Sequence, residues 1–330
     1  MKVYSISDEY LEVKFTDLGG RILEINSVYS PYNLVLQYPA IYDANDVKHF
    51  DDDGYENDDM YIGAIAGRYA NRISGAAFTL ENKKYRLFDN DNGNCLHGGN
   101  EGYSSRYFDV ECSHSTALLT LTDDSDMFPG SVDVKIKYSV IGSSLMIQYQ
   151  AKTDSPTVIN LTSHTYFAHN GSIDDCVAVF NADHYTPLGE NMIPTGEIAS
   201  VKGTPFDFTT PKTIGSEIYA NSVQLNKAGG FDHNFVINGE GLRKAAAIYM
   251  PENGVTLTVS TTMPGFQFYT GNFLHEPFEK REGFCLETQY YPDSPNKANF
   301  PSCVFTPDKP FRGKTIFSFA PGNTTAEEEQ

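Results

Sequence analysis

Tryptophan is missing from this chain, and cysteine, basic residues and long apolar runs are scarce. With no Trp among 330 residues, any broad aromatic face has to come from the 22 phenylalanines and 21 tyrosines. The five cysteines, Cys95, Cys112, Cys176, Cys285 and Cys303, are odd in number, scattered and never spaced C-x-x-C. That pattern argues against a disulfide framework and against a zinc site, so reduced thiols are expected. No segment approaches the run of about 20 apolar residues that spans a bilayer as a helix. The opening MKVYSISDEYLEVKF lacks the apolar stretch of a secretion signal. A cytoplasmic protein with no membrane association is the expectation.

Basic residues number 24 against 43 acidic ones, a formal charge of −19. Such a surplus repels polyphosphates, so nucleic acid and anionic membranes are not expected partners. A phosphorylated ligand would need a local basic cluster, and none is evident. A neutral small molecule fits better, with no obligate protein partner inferred.

What is present is strand alternation. Apolar residues recur at every second position in Leu11, Val13, Phe15; in Val132, Val134, Ile136, Tyr138; in Leu145, Ile147, Tyr149; and in Val255, Leu257, Val259. Gly142 supplies a tight turn between two of these sets, which predicts an antiparallel hairpin over residues 131–150. Helical periodicity is weak and confined to TIGSEIYANSVQL, residues 213–225. Many short strands separated by Gly, Pro, Asn and Asp predict an all-β fold, a sandwich or barrel of antiparallel sheets. Without a composition break, residues 1–330 are expected to form one domain with a short disordered tail, about 323–330.

Polar residues interrupt the β pattern at six places where a core has no need of them. GAIAGRYANRISG carries Asn71 and Arg72; NCLHGG carries His97; NLTSHTYF carries His164 and Tyr166. GGFDHNFVI carries Asp232, PGFQFYTGN carries Gln267, and GFCLETQYYPDSPN carries Glu287. In an extended NLTSHTYF, Asn160, Thr162, His164 and Tyr166 share one face. That face suits either water or a pocket for a ligand with many hydroxyls. Taken singly, Arg72 reads as a surface ion-pair residue, the histidines as core residues bonded to carbonyls, Asp232 as a turn cap and Gln267 as a strand bridge. Glu287 differs. Flanked by apolar residues, its carboxylate is expected in or near a buried strand, where an unpaired charge is costly and a partner or a raised pKa is required.

Taken together, the blocks GRYANRI, LHGG, HTYF, FDHNF, PGFQFYTGNF and FCLETQ…PDSPN…FPS occur in the order found in the aldose 1-epimerases, the galactose mutarotases, which this chain resembles over nearly its whole length. The resemblance implies a large twisted antiparallel β-sandwich whose concave face holds a free sugar such as galactose or glucose, with no metal and no cofactor. It makes Glu287 the general base and His164 the general acid, with Asn71, Arg72, His97, Asp232 and Gln267 binding the sugar. Tyr166, Phe268 and Tyr269 are expected to offer aromatic faces to the sugar's C–H surface.

Two features depart from the family pattern. Ser163 stands where Asn is common, which is expected to alter bonding around His164. The acidic FDDDGYENDDMYIG invites a calcium reading, but an EF-hand turning at Gly54 needs an acid where His49 stands and Glu where Met60 stands, so a solvated loop is expected. Two other functions stay open from the residues alone. One is a glycoside hydrolase with Glu287 and Asp232 as its carboxylate pair. The other is a non-catalytic sugar-binding protein.

Overall fold

The computed structural model describes residues 1–43, 45 and 47–323. Among these, the alternating segments assemble into a nine-stranded and a six-stranded sheet, with smaller two- and three-stranded pieces around them. In spatial order the larger sheet runs Asp109–Cys112, Thr116–Asp123, Val132–Ile141, Ser144–Thr153, Phe311–Pro321, Val255–Thr261, Arg243–Met250, Val177–Phe180 and Lys212–Thr213. The smaller runs Tyr166–Ala168, Gly283–Gln289, Gly265–Tyr269, Asp232–Val236, His184–Thr186 and Ala199–Ser200. Strand pairs within both sheets are antiparallel.

The expected hairpin is present and longer than predicted, Val132–Ile141 pairing with Ser144–Thr153. Its two-residue turn places Gly142 at φ 57°, a left-handed conformation open to Gly at little cost. The 213–225 segment forms two short helices, Gly215–Ile218 and Val223–Ala228, rather than one. The predicted disordered tail lies outside the described residues apart from Asn323.

The sheets pack through an aromatic seam. Phe180 of the larger sheet lies 5.1 Å from both Phe266 and Phe268 of the smaller. Phe167 similarly meets Phe317 at 5.1 Å. Because side chains alternate, Phe266, Phe268, Phe284 and Leu286 point into this seam, whereas Asp232, Gln267, Glu287 and Gln289 belong to the opposite face. Phe268 is therefore a core residue with no exposure, not the aromatic platform expected from sequence.

That opposite face is also covered: all seven residues of Gly283–Gln289 are buried. Loops lie over it, and buried ion pairs hold two of them. Arg68 donates from Nε to Asp123 at 2.6 Å and from its other nitrogens to the carbonyls of Asp123, Pro129 and Gly130, anchoring the loop that carries Asn71 and Arg72. Burial alone would raise the Asp123 carboxyl pKa, but the Arg68 guanidinium outweighs it and holds the group below its usual value.

The acidic run is only in part the solvated loop the sequence suggested: Asp52, Asp53, Glu56 and Asp59 are exposed, but the segment folds into a short helix and buries one carboxylate. Asp51 caps a short helix, Asp52–Glu56, by accepting from the Gly54 N–H at 3.0 Å. The Asp58 side chain, by contrast, is fully buried. It pairs with Arg21 and accepts from the Tyr38 hydroxyl at 2.9 Å and from the Met60 and Ile62 amides at 3.0 and 2.8 Å. A carboxylate so surrounded satisfies its lone pairs without water, and it fixes the segment that leads to Tyr61.

Candidate active site

The smaller sheet brings four of the six polar blocks side by side. Asn234 lies opposite Gln267, and Gln267 opposite Glu287. One register step away, Asp232 faces Tyr269, Tyr269 faces Cys285, and Cys285 faces Tyr166. NLTSHTYF itself breaks into two short pieces, Thr162–Ser163 and Tyr166–Ala168, with every residue from Asn160 to Phe167 buried. Its polar side therefore does not face water.

A cleft of about 240 Å³ sits over this register and is lined by Asn71, Arg72, His97, His164, Tyr166, Asp232 and Glu287. Gln267 lies behind Asp232, donating from Nε2 to Asp232 Oδ1 at 2.6 Å. It acts on the pocket through that carboxylate. Tyr61, Phe273 and His275 also line the cleft and were not singled out from sequence. The Tyr61 ring lies 4.5 Å from that of His97 and 5.8 Å from that of His164. Its φ of 59° is rare for a bulky residue, and that outlier was invisible in the sequence.

Nε2 of His164 lies 3.6 Å from Glu287 Oε1, with both side chains almost wholly buried. Burial, aided by the negative Asp232 and opposed by Arg72, pushes the Glu287 carboxyl well above its ordinary pKa. Burial likewise pushes His164 down to about 4. Both shifts favour the uncharged forms, a protonated carboxyl beside a neutral imidazole, so the pair holds one proton across a broad pH range.

His97 is fixed differently. Its Nδ1 accepts the Asn71 backbone N–H at 3.2 Å, and the His97 backbone N–H returns a bond to the Asn71 carbonyl at the same distance. A neutral His97 therefore carries its proton on Nε2 and serves as a donor. Burial first, then His164 and Arg72, lower its pKa well below the usual histidine value. Asn71 also accepts the Arg72 N–H on Oδ1 at 2.8 Å. Much of its role is thus to orient its neighbours.

Arg72 binds Asp91 through Nε at 2.6 Å and approaches Asp232 Oδ2 with Nη1 at 3.9 Å. Asp91 lies in DNDNGN, a stretch that reads as a turn, and sequence gave no sign of its role. The pocket wall holds Arg72 but no lysine, in keeping with the missing basic cluster. Ser163 bonds Thr165 at 2.8 Å, side chain to side chain, whereas the His164 ring meets Cys285 Sγ, 3.6 Å from Nδ1.

Several polar atoms below the cleft have no hydrogen-bond partner within the protein, among them Glu287 Oε2, Gln267 Oε1 and both amide ends of Asn234 and Gln289. One donor set has metal-like spacing: His97, His164 and Glu287 offer atoms within 4.8 Å of one another. The His97 tautomer argues against ligation, because Nδ1 is occupied and Nε2 carries the proton, leaving no lone pair for a cation. The same arrangement suits a ligand made of hydroxyl groups. A carboxylate, an imidazole, a fixed imidazole N–H and a guanidinium converge on a small cleft beside Tyr166 and Tyr269.

Residues 2–318 match the family model described as aldose 1-epimerase. The chain is 38% identical to galactose mutarotase of Bos taurus over 283 residues, 81% of each chain. It is 34% identical to aldose 1-epimerase of Escherichia coli, covering 80% of this chain and 82% of that one. Among solved structures, galactose 1-epimerase from Lactobacillus acidophilus superposes with a TM-score of 0.84 at 25% identity, covering 97% and 94% of the two chains. An aldose epimerase homologue from C. elegans shares the fold with a TM-score of 0.87 at 22% identity, over 98% and 99%. With a family match that runs almost from end to end and relatives above 30% identity over four-fifths of the chain, the protein belongs to the aldose 1-epimerase family.

Proposed function

We propose that this protein interconverts the α and β anomers of free aldohexoses such as galactose and glucose, with Glu287 as general base and His164 as general acid. The observation that carries the reading is the buried pair itself. A carboxylate oxygen and an imidazole nitrogen lie 3.6 Å apart in a cleft otherwise made of hydroxyl-binding groups.

Anomer exchange needs the C1 hydroxyl to lose a proton while the ring oxygen gains one. When the sugar binds, the pair's single proton passes from the Glu287 carboxyl to His164 Nε2, leaving Glu287 ionised. Glu287 takes the C1 hydroxyl proton, the O–H electrons become the second C1–O1 bond, and the C1–O5 bond breaks. Its electron pair goes to O5, which takes the proton from Nε2. A half-turn about C1–C2 then presents the other face of the aldehyde. On closure O5 attacks C1 and returns its proton to Nε2, while O1 recovers a proton from Glu287, so the enzyme ends as it began. Each positioned transfer contributes about 10²–10⁴-fold.

The remaining pocket residues hold what does not react. His97 donates from Nε2, Asp232 accepts, and Arg72 donates to the ring and chain hydroxyls. Keeping the open chain oriented makes reclosure unimolecular and prevents escape. Tyr166 and Tyr269 offer their rings to the sugar's C–H surface.

A cytoplasmic setting and a single catalytic domain belong to the same reading. Five free cysteines, four of them buried, support the first. Among the described residues no helix is long and apolar enough to cross a membrane. Polarimetry on freshly dissolved α-galactose and α-glucose, without added metal or nucleotide, tests the function. Rates equal to the spontaneous ones would remove it.

A further inference from the structure

Resting on the reading above, a further requirement falls on His164. For Nε2 to give and regain a proton through each turnover, the other ring nitrogen must keep its own. If Nδ1 lost its proton, the neutral ring would carry it on Nε2 and have no lone pair there to accept a proton back. The ring therefore needs an acceptor beside Nδ1.

The groups around the ring leave few choices: the ring also lies against its own backbone carbonyl, which already accepts the Gly63 N–H at 3.2 Å. The Tyr166 hydroxyl donates to the Met60 carbonyl at 2.9 Å, and the Tyr269 hydroxyl accepts the Phe273 N–H at 2.9 Å. Ser163 and Thr165 bond each other. The side-chain atom found against Nδ1 is the sulphur of Cys285, at 3.6 Å. Strand alternation explains the placement. Cys285 stands two residues before Glu287 on the same face of Gly283–Gln289 and opposite Tyr166, so one short strand supplies both partners of the ring.

We infer that Cys285 is a positioning residue for the epimerase reaction: its sulphur accepts the His164 Nδ1–H, fixing the tautomer in which Nε2 faces Glu287 as the working nitrogen. The thiol is wholly buried, and burial keeps it protonated, so the acceptor is neutral. That neutrality has a chemical consequence. A carboxylate against Nδ1 would stabilise the imidazolium and weaken it as an acid, and it would also crowd Glu287 and Asp232 with a third negative charge. A weak neutral acceptor orients the ring and leaves the imidazolium acidic enough to protonate a sugar ring oxygen. Cys285 and Asn71 thereby hold the two pocket histidines in opposite tautomers, His164 with its proton on Nδ1 and His97 on Nε2.

The test is ¹⁵N NMR of histidine-labelled protein, with His164 assigned by its loss in His164→Asn. The wild-type signal is expected to show a protonated Nδ1 and a bare Nε2 in the neutral ring. Cys285→Ala should lower kcat about 3- to 10-fold at little change in KM, the range set by one neutral hydrogen bond, and move the ring toward the Nε2–H form. Cys285→Ser, which restores an acceptor, should recover most of both. A wild-type His164 protonated on Nε2 overturns the inference even if neither Cys285 variant folds. So does a Cys285→Ala protein with unaltered tautomer and kcat. Neither result touches the function reading, which wild-type polarimetry decides separately.

Discussion

His164 and Glu287 meet side chain to side chain at 3.6 Å although they come from distant parts of the chain. The strand that begins at Tyr166 pairs with Gly283–Gln289, and this single antiparallel register brings them together. The contact turns two ordinary residue types into one proton-sharing unit, and the first expectations concern it.

Glu287→Gln and His164→Asn should each lower kcat about 10²–10⁴-fold while sugar binding is largely kept, since the replacements preserve shape and remove the transferable proton. The double variant should be little worse than the poorer single, because groups acting as a unit give non-additive losses. Polarimetry with the spontaneous rate subtracted measures this. A hydrolase would instead lose turnover with Asp232→Asn as severely as with Glu287→Gln and tolerate loss of His164. Near wild-type exchange in Glu287→Gln would end the mechanism.

Asp91→Ala tests a residue that does not face the chemistry. Its carboxylate holds Arg72 Nε at 2.6 Å, and without it the guanidinium is free to swing toward Asp232. KM should rise about 10-fold, in the range of one charge-assisted bond, with kcat much less affected. A kcat loss equal to that of Glu287→Gln would contradict the assignment.

The pH profile of kcat/KM should be broad, because the active pair carries one proton. On the acid side a second proton enters as pH falls through the region of His164, pushed down to about 4. On the alkaline side the single proton leaves through the raised Glu287 pKa. These are properties of the pair, so His164→Asn should change both limbs. An acid limb near the ordinary histidine value of about 6.5 would show that the ring is not desolvated as described.

Glu287 should also cost stability. Its folded pKa is raised, so the folded state favours the protonated carboxyl. The associated stability is full below the unfolded value of about 4.3 and is lost as pH rises through the folded one. Glu287→Gln is therefore expected to raise Tm at pH 8 and to lose that advantage toward pH 4. A variant less stable than wild type at pH 8 would mean the carboxylate is well compensated.

Asp58→Ala removes the partner of buried Arg21 and should cost about 3–5 kcal/mol in urea unfolding, as expected when one member of a buried pair is left alone. Asp59→Ala, next in sequence, removes only an exposed contact to His275 and should change little. Equal effects from the two would restore the solvated-loop view.

Short-range pattern made much of this protein legible. Period-two alternation and Gly142 specify the 132–153 hairpin, and apolar neighbours on both sides put Glu287 in a buried strand whatever its role. The same alternation that sets Gln267 and Tyr269 on the pocket face sets Phe268 on the other, so that misplacement was avoidable. Asp58, Asp91, Tyr61 and Cys285 were a different matter. Nothing local separates Asp58 from exposed Asp59, or Asp91 from a turn acid, because burial and pairing depend on what the rest of the chain brings near. The sequence by itself determined which residues are strand, core or polar interruption, since alternation and hydrophobicity act over a few residues. Tertiary structure alone decided which polar atoms touch, and hence which ring nitrogen faces Cys285 and which faces Glu287, because hydrogen bonds and pKa shifts depend on ångström distances between segments far apart in the chain.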